Sequence, residues 1–381
     1  MTQQTEDLWD VPGQDRAVAL VRGAVERGEV AHAWAFTGPA GVGQERVARA
    51  LAAALNCEQP DPPCGTCSVC ERCRRGVHPA YVEFAPVGAM HRVTDVREQW
   101  LRTANHSLVE GRWKVLRIVD ADRMNESAAN AFLKGLEEPP PRTVWVLDVT
   151  DPDELPDTIL SRCRAVRFVP WGPAELEAEA ARLGLPPGPD RDLAVRAALG
   201  SPLALRRLAA PGGLDDLRAH RDIPRRLREE GPGFALVAAR ALDEEAKRHT
   251  AAIKAETQAH LDELAQVYGD EVPRRVAKQI LDQSARRERE AKVVVAQAAL
   301  DDLVGWLRDC LYIGAGGEPG GAIHVDALEQ LRADAAALPP KALLAAIDRI
   351  LATREELELN VQQGLALEAL LLDLSALALT A

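Results

Sequence analysis

Residues 38–45 read GPAGVGQE, a Gly-rich turn between the apolar run 33–36 (AWAF) and the helix-like stretch 46–55. Strand, Gly-rich turn and helix, in that order, are the setting of a phosphate-binding loop. In a working loop, backbone amides wrap the phosphates, a Lys reaches the terminal phosphates and a Ser or Thr hydroxyl holds magnesium. Gly38, Gly41 and Gly43 permit the turn. Gln44, however, takes the Lys place and Glu45 the hydroxyl place. A neutral amide cannot offset charge developing on a phosphoryl group, and a carboxylate beside it repels it. The loop is expected to keep its outline and lack its chemistry. From these residues alone, a Gly-rich turn that never met a nucleotide reads equally well.

The pattern around the loop decides the fold. Upstream, 11–30 reads as a turn and an amphipathic helix with Val18, Val21 and Val25 at helical spacing, and His32 as a capping or packing residue before the strand. Downstream, 78–84 (HPAYVEF) begins a second strand, and a helix with Val96, Trp100 and Leu101 follows. Residues 114–120 (KVLRIVD) form a continuous apolar run ending in Asp120, as for a strand buried on both faces of a parallel sheet. A carboxylate at such a strand end commonly holds a magnesium-bound water beside the loop, and helix capping is the alternative. Ala121 stands where a hydrolytic ATPase would carry the Glu that orients water. A helix over 125–138 stops at the prolines 139–141, 143–150 (TVWVLDVT) is another buried strand ending at Thr150, and 166–169 is the last strand. This alternation predicts an α/β module, a doubly wound parallel sheet with helices on both faces. Its carboxyl edge gathers the loop, Asp120 and Thr150.

The 381 residues suffice for two or three domains, and a formal net charge of −12 argues against a surface coated in cations for nucleic acid. A local basic face within an assembly stays compatible with that balance. No membrane segment is expected. The start, MTQQTEDLWDV, has neither the basic opening nor the apolar core of a signal peptide, so a cytoplasmic location is expected.

Of the seven cysteines, Cys57, Cys64, Cys67, Cys70 and Cys73 fall in one short stretch, with Cys163 and Cys310 isolated. Two-residue gaps let pairs of thiolates converge on one tetrahedral ion, and the Pro- and Gly-bearing surroundings suit a loop-built knuckle that metal holds together. The expected ligands are Cys57, Cys64, Cys67 and Cys70, with Cys73 to spare. An all-cysteine set closes the ion off from substrate, so the expected zinc is structural. A redox role for the CxxC pairs is the competing reading.

Taken together, HAWAFTGPAGVG (32–43), CGTCSVC (64–70), KVLRIVDADRMNESAANAFLKGLEEPPPRTVWVLDVTD (114–151) and LPDTILSRCR (155–164) resemble the bacterial DNA polymerase III clamp-loader subunits of the AAA+ class, over roughly 11–169. Two kinds of those subunits carry the zinc module. The motor kind keeps a Lys-Thr loop and an Asp-Glu strand end. With Gln44, Glu45 and Ala121, this chain resembles the kind that does not hydrolyse ATP. The resemblance implies an AAA+ core domain over 1–169 with the zinc module at 57–73, a helical lid over 170–210, and an all-α collar over 211–381. It implies assembly with motor (gamma/tau-type) and delta subunits in the polymerase III holoenzyme, loading a sliding clamp onto primed DNA. Gly38, Gly41, Gly43 and Asp120 would line a vestigial nucleotide pocket, with ATP held by the adjacent subunit.

The resemblance also gives Ser161-Arg162-Cys163 a role: Arg162 would face the next subunit and reach the γ-phosphate bound there. A guanidinium is permanently charged, planar and able to contact two phosphate oxygens, which suits that role. The alternative is an ion pair with Asp157 or Glu154 on its own surface. Cys163 reads as a small packed residue, and Leu203 stands where motor subunits carry a nucleotide-sensing arginine. Arg206 and Arg207 read as solvated.

Beyond the hinge at 210–213, two apolar stripes, Ala296, Leu300, Leu303, Leu307 and Leu311, then Leu367, Leu370, Leu371 and Leu374, are expected to be helix core. The charged segment 243–292, interrupted at Gly269 and Pro273, carries Arg274, Arg275, Lys278, Arg286, Arg287, Arg289 and Lys292. It reads as a solvated helical pair or as a basic face toward DNA or another subunit. Two further readings differ in class: a catalytically active clamp-loader-like ATPase with a divergent loop, and a zinc-dependent nucleic-acid module. Against the second stand the acidic balance and the lack of aromatics interleaved with basic residues.

Overall fold

The computed structural model describes residues 7–86, 90–268, 272–359 and 361–379. Five strands, β1 (Ala33–Thr37), β2 (Tyr81–Phe84), β3 (Lys114–Ile118), β4 (Thr143–Val149) and β5 (Arg164–Arg167), make one sheet in the order β2-β3-β4-β1-β5. Every ladder is parallel, with Ala35 of β1 opposite Leu147 of β4 and Ala165 of β5. Parallel neighbours require crossovers, and helices α1 (Asp15–Glu26), α2 (Gln44–Asn56), α3 (Ser68–Arg74), α4 (Val93–Asp95), α5 (Leu101–Asn105), α6 (Glu126–Glu137) and α7 (Asp157–Leu160) lie in and around them. The side chain of Asn125 caps α6 by accepting from the Ala128 amide at 2.8 Å. Trp100, Phe132 and Trp145 stack edge to face at 5.4 and 4.9 Å in the core under the sheet.

Two strand expectations need correction. The last strand runs over Arg164–Arg167, not 166–169, and only Val166 of it is buried. It is the edge of the sheet, so its partly polar sequence does not show the apolar run that marks a central strand. β3 is buried throughout but not apolar throughout. Arg117 reaches Asp148 of β4 at 3.0 Å and Glu83 of β2 at 3.3 Å, an ionic ladder across three strands. Burial pushes the Asp148 carboxyl up to about 6 against the pull of Arg117.

The chain divides into two compact units, 1–179 with 199–203, and 180–198 with 204–381. The first holds the sheet. The remaining helices in chain order are α8 (Pro173–Arg182), α9 (Pro189–Ala197), α10 (Pro202–Ala209), α11 (Gly213–Glu230), α12 (Pro232–Tyr268), α13 (Arg274–Gly314), α14 (Leu328–Ala337), α15 (Pro340–Glu358) and α16 (Gln363–Leu379). Both apolar stripes are core of the second unit: Leu300, Leu303, Leu367, Leu370 and Leu371 are fully buried, and Leu311 packs against them partly buried. Arg207 is not solvated. It forms a bidentate pair with Asp302 at 3.0 and 2.6 Å, and Asp302 also meets buried His220, whose other ring nitrogen meets Glu245.

Helices α12 and α13 pack against each other as a long pair. Between Ala246 and Ala296 the described buried side chains on it are the polar Thr250, Thr257 and Ser284. The Thr257 and Ser284 hydroxyls meet at 2.8 Å. Gly269 lies outside the described residues, as do the side chains of Arg275 and Arg286. Among the described residues, no helix is long and apolar enough to cross a membrane.

Candidate functional site

The loop after β1 turns as expected. Gly38 (φ +137°) and Gly41 (φ +76°) take backbone conformations closed to most side chains, and a Cβ on Gly38 would lie 2.3 Å from the Phe168 carbonyl oxygen. The groups lining the loop belong to the protein itself. Buried Gln44 turns its amide back, and Nε2 donates to the Pro39 carbonyl at 2.6 Å. The indole of Trp171 donates to the Val42 carbonyl at 2.8 Å. Leu203 lies against Gly41, so close that an added Cβ would sit 2.3 Å from its Cδ1. Glu45 pairs with Arg49 one helical turn on, and Arg49 in turn reaches Glu83 at 3.5 Å. The positions that would present a cation and a hydroxyl to phosphates thus present a self-bonded amide and a carboxylate engaged elsewhere.

Asp120 follows β3 in a left-handed conformation (φ 50°, ψ 54°), half-buried, and burial raises its carboxyl above the usual range. It shares the carboxyl edge of the sheet with the loop, as the topology requires. The carboxylate that braces this edge is Asp122, which sequence reasoning did not single out. Buried Asp122 accepts the Thr150 and Asp151 amides, both at 2.8 Å, and so ties the end of β3 to the end of β4. Its signal in the sequence was faint, a second aspartate beside one that already had a role. Thr150 is exposed.

Arg162 follows α7 on the surface. Its guanidinium donates to the Thr158 carbonyl and pairs with Glu137 of α6, both at 2.7 Å. An ion pair on its own surface was one expectation, but the partner is Glu137 and not Asp157 or Glu154. Cys163 packs partly buried against the sheet core, and burial pushes its thiol up to about 12, which suits packing and not nucleophilic work.

The cysteines converge. Cys57 ends α2, Cys67 caps α3, Cys70 lies in α3, and Cys64 sits on the intervening loop. The sulfurs of Cys57, Cys64, Cys67 and Cys70 all lie within 4.8 Å of one another, with Cys57–Cys67 and Cys64–Cys70 at 3.9 Å. Tetrahedral thiolates at about 2.3 Å from zinc would stand roughly 3.8 Å apart, so the set fits one ion. The Cys67 amide points at the Cys64 sulfur at 3.4 Å and the Cys70 amide at the Cys67 sulfur at 3.5 Å. Amides from Thr66 and Cys67 bring Cys64 down to about 6. Cys73 is buried outside the group, and burial pushes its thiol up to about 12.

A parallel sheet in this order, with a Gly-rich loop after β1, an acidic edge after β3, a four-cysteine group and a following helical region, matches the arrangement expected of an AAA+ module of the clamp-loader type. A family profile described as DNA polymerase III, delta subunit, matches residues 13–171, and one described as DNA polymerase III, delta subunit, C terminal, matches 292–376. Over these two stretches the chain is similar to delta-type subunits of DNA polymerase III. It is 38% identical over 192 residues to DNA polymerase III subunit delta′ of Pseudomonas aeruginosa, covering 49% of this chain and 58% of that one. It is 37% identical over 158 residues to subunit tau of Escherichia coli (40% and 24% covered) and 32% identical over 163 residues to subunit tau of Bacillus subtilis (42% and 28% covered). The chain spans less than two thirds of the length of each of these relatives.

Proposed function

We propose that the chain is a non-hydrolysing subunit of the replicative clamp loader, of the delta-prime kind. In this reading it assembles with motor (gamma/tau-type) and delta subunits and lends Arg162 to ATP held by a neighbour, driving a sliding clamp onto primed DNA. The observation that carries the reading is the self-bonded loop, with Gln44 folded onto the Pro39 carbonyl and Leu203 against Gly41. Such a loop offers terminal phosphates neither a cation nor a metal-holding hydroxyl. The pocket around Gly38, Gly41, Gly43 and Asp120 is then vestigial, and the chain serves chemistry performed next door.

Arg162 suits that service. It is surface-borne, and its pair with Glu137 is solvent-exposed, so exchanging a carboxylate for a phosphate costs about 1 kcal/mol or less. The zinc assigned to Cys57, Cys64, Cys67 and Cys70 holds the knuckle and takes no part in the reaction. Residues 1–169 act as the core domain, 170–210 as the lid and 211–381 as the collar, in the cytoplasm. Exposed Leu344 and Leu351, one heptad apart on α15, and Leu365 and Leu372, one heptad apart on α16, support a collar that packs against other subunits.

The test is Arg162→Ala in a complex reconstituted with motor and delta subunits. Assembly by gel filtration should be unchanged, while DNA-stimulated turnover at the motor site facing Arg162 falls about a thousandfold. Loss of assembly together with activity would make Arg162 a structural residue instead.

A further inference from the structure

We propose that the exposed flank of α13 bearing Arg274, Lys278, Arg289 and Lys292 binds the phosphate backbone of duplex DNA. On a helix of 3.6 residues per turn, positions 274, 278, 281, 285, 289 and 292 fall on one flank, within an arc of roughly 80°. Arg274, Lys278 and Arg289 are exposed there and Lys292 is half-buried, with Leu281 and Ala285 exposed between them. Ser284, buried against Thr257, marks the side of α13 that faces α12 instead.

The cations of the flank stand apart from the charge pairing that holds the two helices together. Across the pair, Arg287 meets Glu256 at 3.0 Å and Lys254 meets Glu288 at 3.5 Å. No ion pair among the described residues takes up Arg274, Lys278, Arg289 or Lys292. The sequence from 274 to 292 holds seven Lys and Arg against three Asp and Glu, in a chain of net charge −12. A polyanion is therefore repelled by most of this protein and attracted here.

The flank runs about 27 Å, alongside which duplex DNA presents roughly one phosphate charge per 1.7 Å of axis. The row of cations, with Leu281 and Ala285 between them, follows one line along the helix, as the charges of a backbone do. That suits contact with a backbone irrespective of sequence. The choice of duplex DNA as the polyanion rests on the clamp-loader reading.

The full chain, alone, is titrated with a fluorescein-labelled primed duplex between about 50 and 200 mM salt, reading anisotropy. The wild type should bind, with affinity falling as salt rises. K278E/R289E should bind at least about tenfold more weakly and flatten the log–log salt slope by about 2. K278Q/R289Q, milder toward folding, should lose the same slope, and K278R/R289K should retain it. The inference is overturned if the wild type does not bind at low salt, if charge reversal leaves affinity and slope unchanged, or if poly-glutamate displaces the duplex more readily than unlabelled duplex does. Assembly with motor subunits is measured separately. DNA binding without assembly refutes the subunit reading alone, and assembly without charge-sensitive DNA binding refutes the flank alone.

Discussion

Arg162 and Glu137 meet as two exposed side chains, so their pairing competes with any phosphate that Arg162 is to reach. Glu137→Gln is expected to leave assembly intact and to raise DNA-stimulated ATPase of the reconstituted complex by up to about fivefold, the equivalent of about 1 kcal/mol for a surface pair. A fall in rate would mean that Glu137 orients Arg162 and does not restrain it. The partner could not be read from the sequence because it lies on a different helix, brought beside Arg162 by the packing of α6 and α7. Proximity along the chain had favoured Asp157 and Glu154. Asp122 was hidden for a related reason: its value comes from the Thr150 and Asp151 amides just past the end of another strand. The cysteines were legible because chain spacing itself limits which sulfurs can converge. Elemental analysis of Cys73→Ser should still find one zinc per chain, whereas Cys70→Ser should leave little or none. Metal loss from the Cys73 variant would mean that the ligand set includes it.

The Gly-rich loop and α2 form the element on which the reading turns. Gly41→Ala places a side chain at φ +76° and against Leu203, and should destabilise the first unit by roughly 1–3 kcal/mol in urea unfolding. An unchanged midpoint would show that the loop does not hold the geometry described. This turn was visible in the sequence because only glycine tolerates such angles freely. Strands β1, β3 and β4 were visible because both faces are buried and their residues are mostly apolar. β5 was misplaced because an edge strand needs no such run, and Arg117 passed unnoticed because its counter-ions, Asp148 and Glu83, belong to other strands. The stripes on α13 and α16 were legible as core from helical period alone. The pairing of α12 with α13 followed from no apolar periodicity, since beyond the core its buried side chains among the described residues are hydroxyl-bearing and ion pairs cross it.

Across the whole molecule, acidity and buried charge set how stability responds to pH. In the second unit, burial works against a charge on His220, yet Asp302 and Glu245 together raise it to about 9, well above its ordinary value. A cation whose pKa is higher folded than unfolded stabilises fully below the unfolded value, near 6.5, and loses that contribution as pH climbs through about 9. The urea midpoint should therefore fall between pH 7 and 10 by the equivalent of roughly 3 kcal/mol, and His220→Gln should flatten that part of the profile. An identical slope in the variant would place the sensitivity elsewhere. The central claim, a phosphate-binding loop kept in shape and deprived of its chemistry, is tested most directly by steady-state phosphate release from the purified chain, free of other ATPases, with and without primed DNA. The account predicts no release above that of an Arg162→Ala chain or of buffer. Sustained turnover that disappears when the loop is disrupted at Gly41 would contradict it.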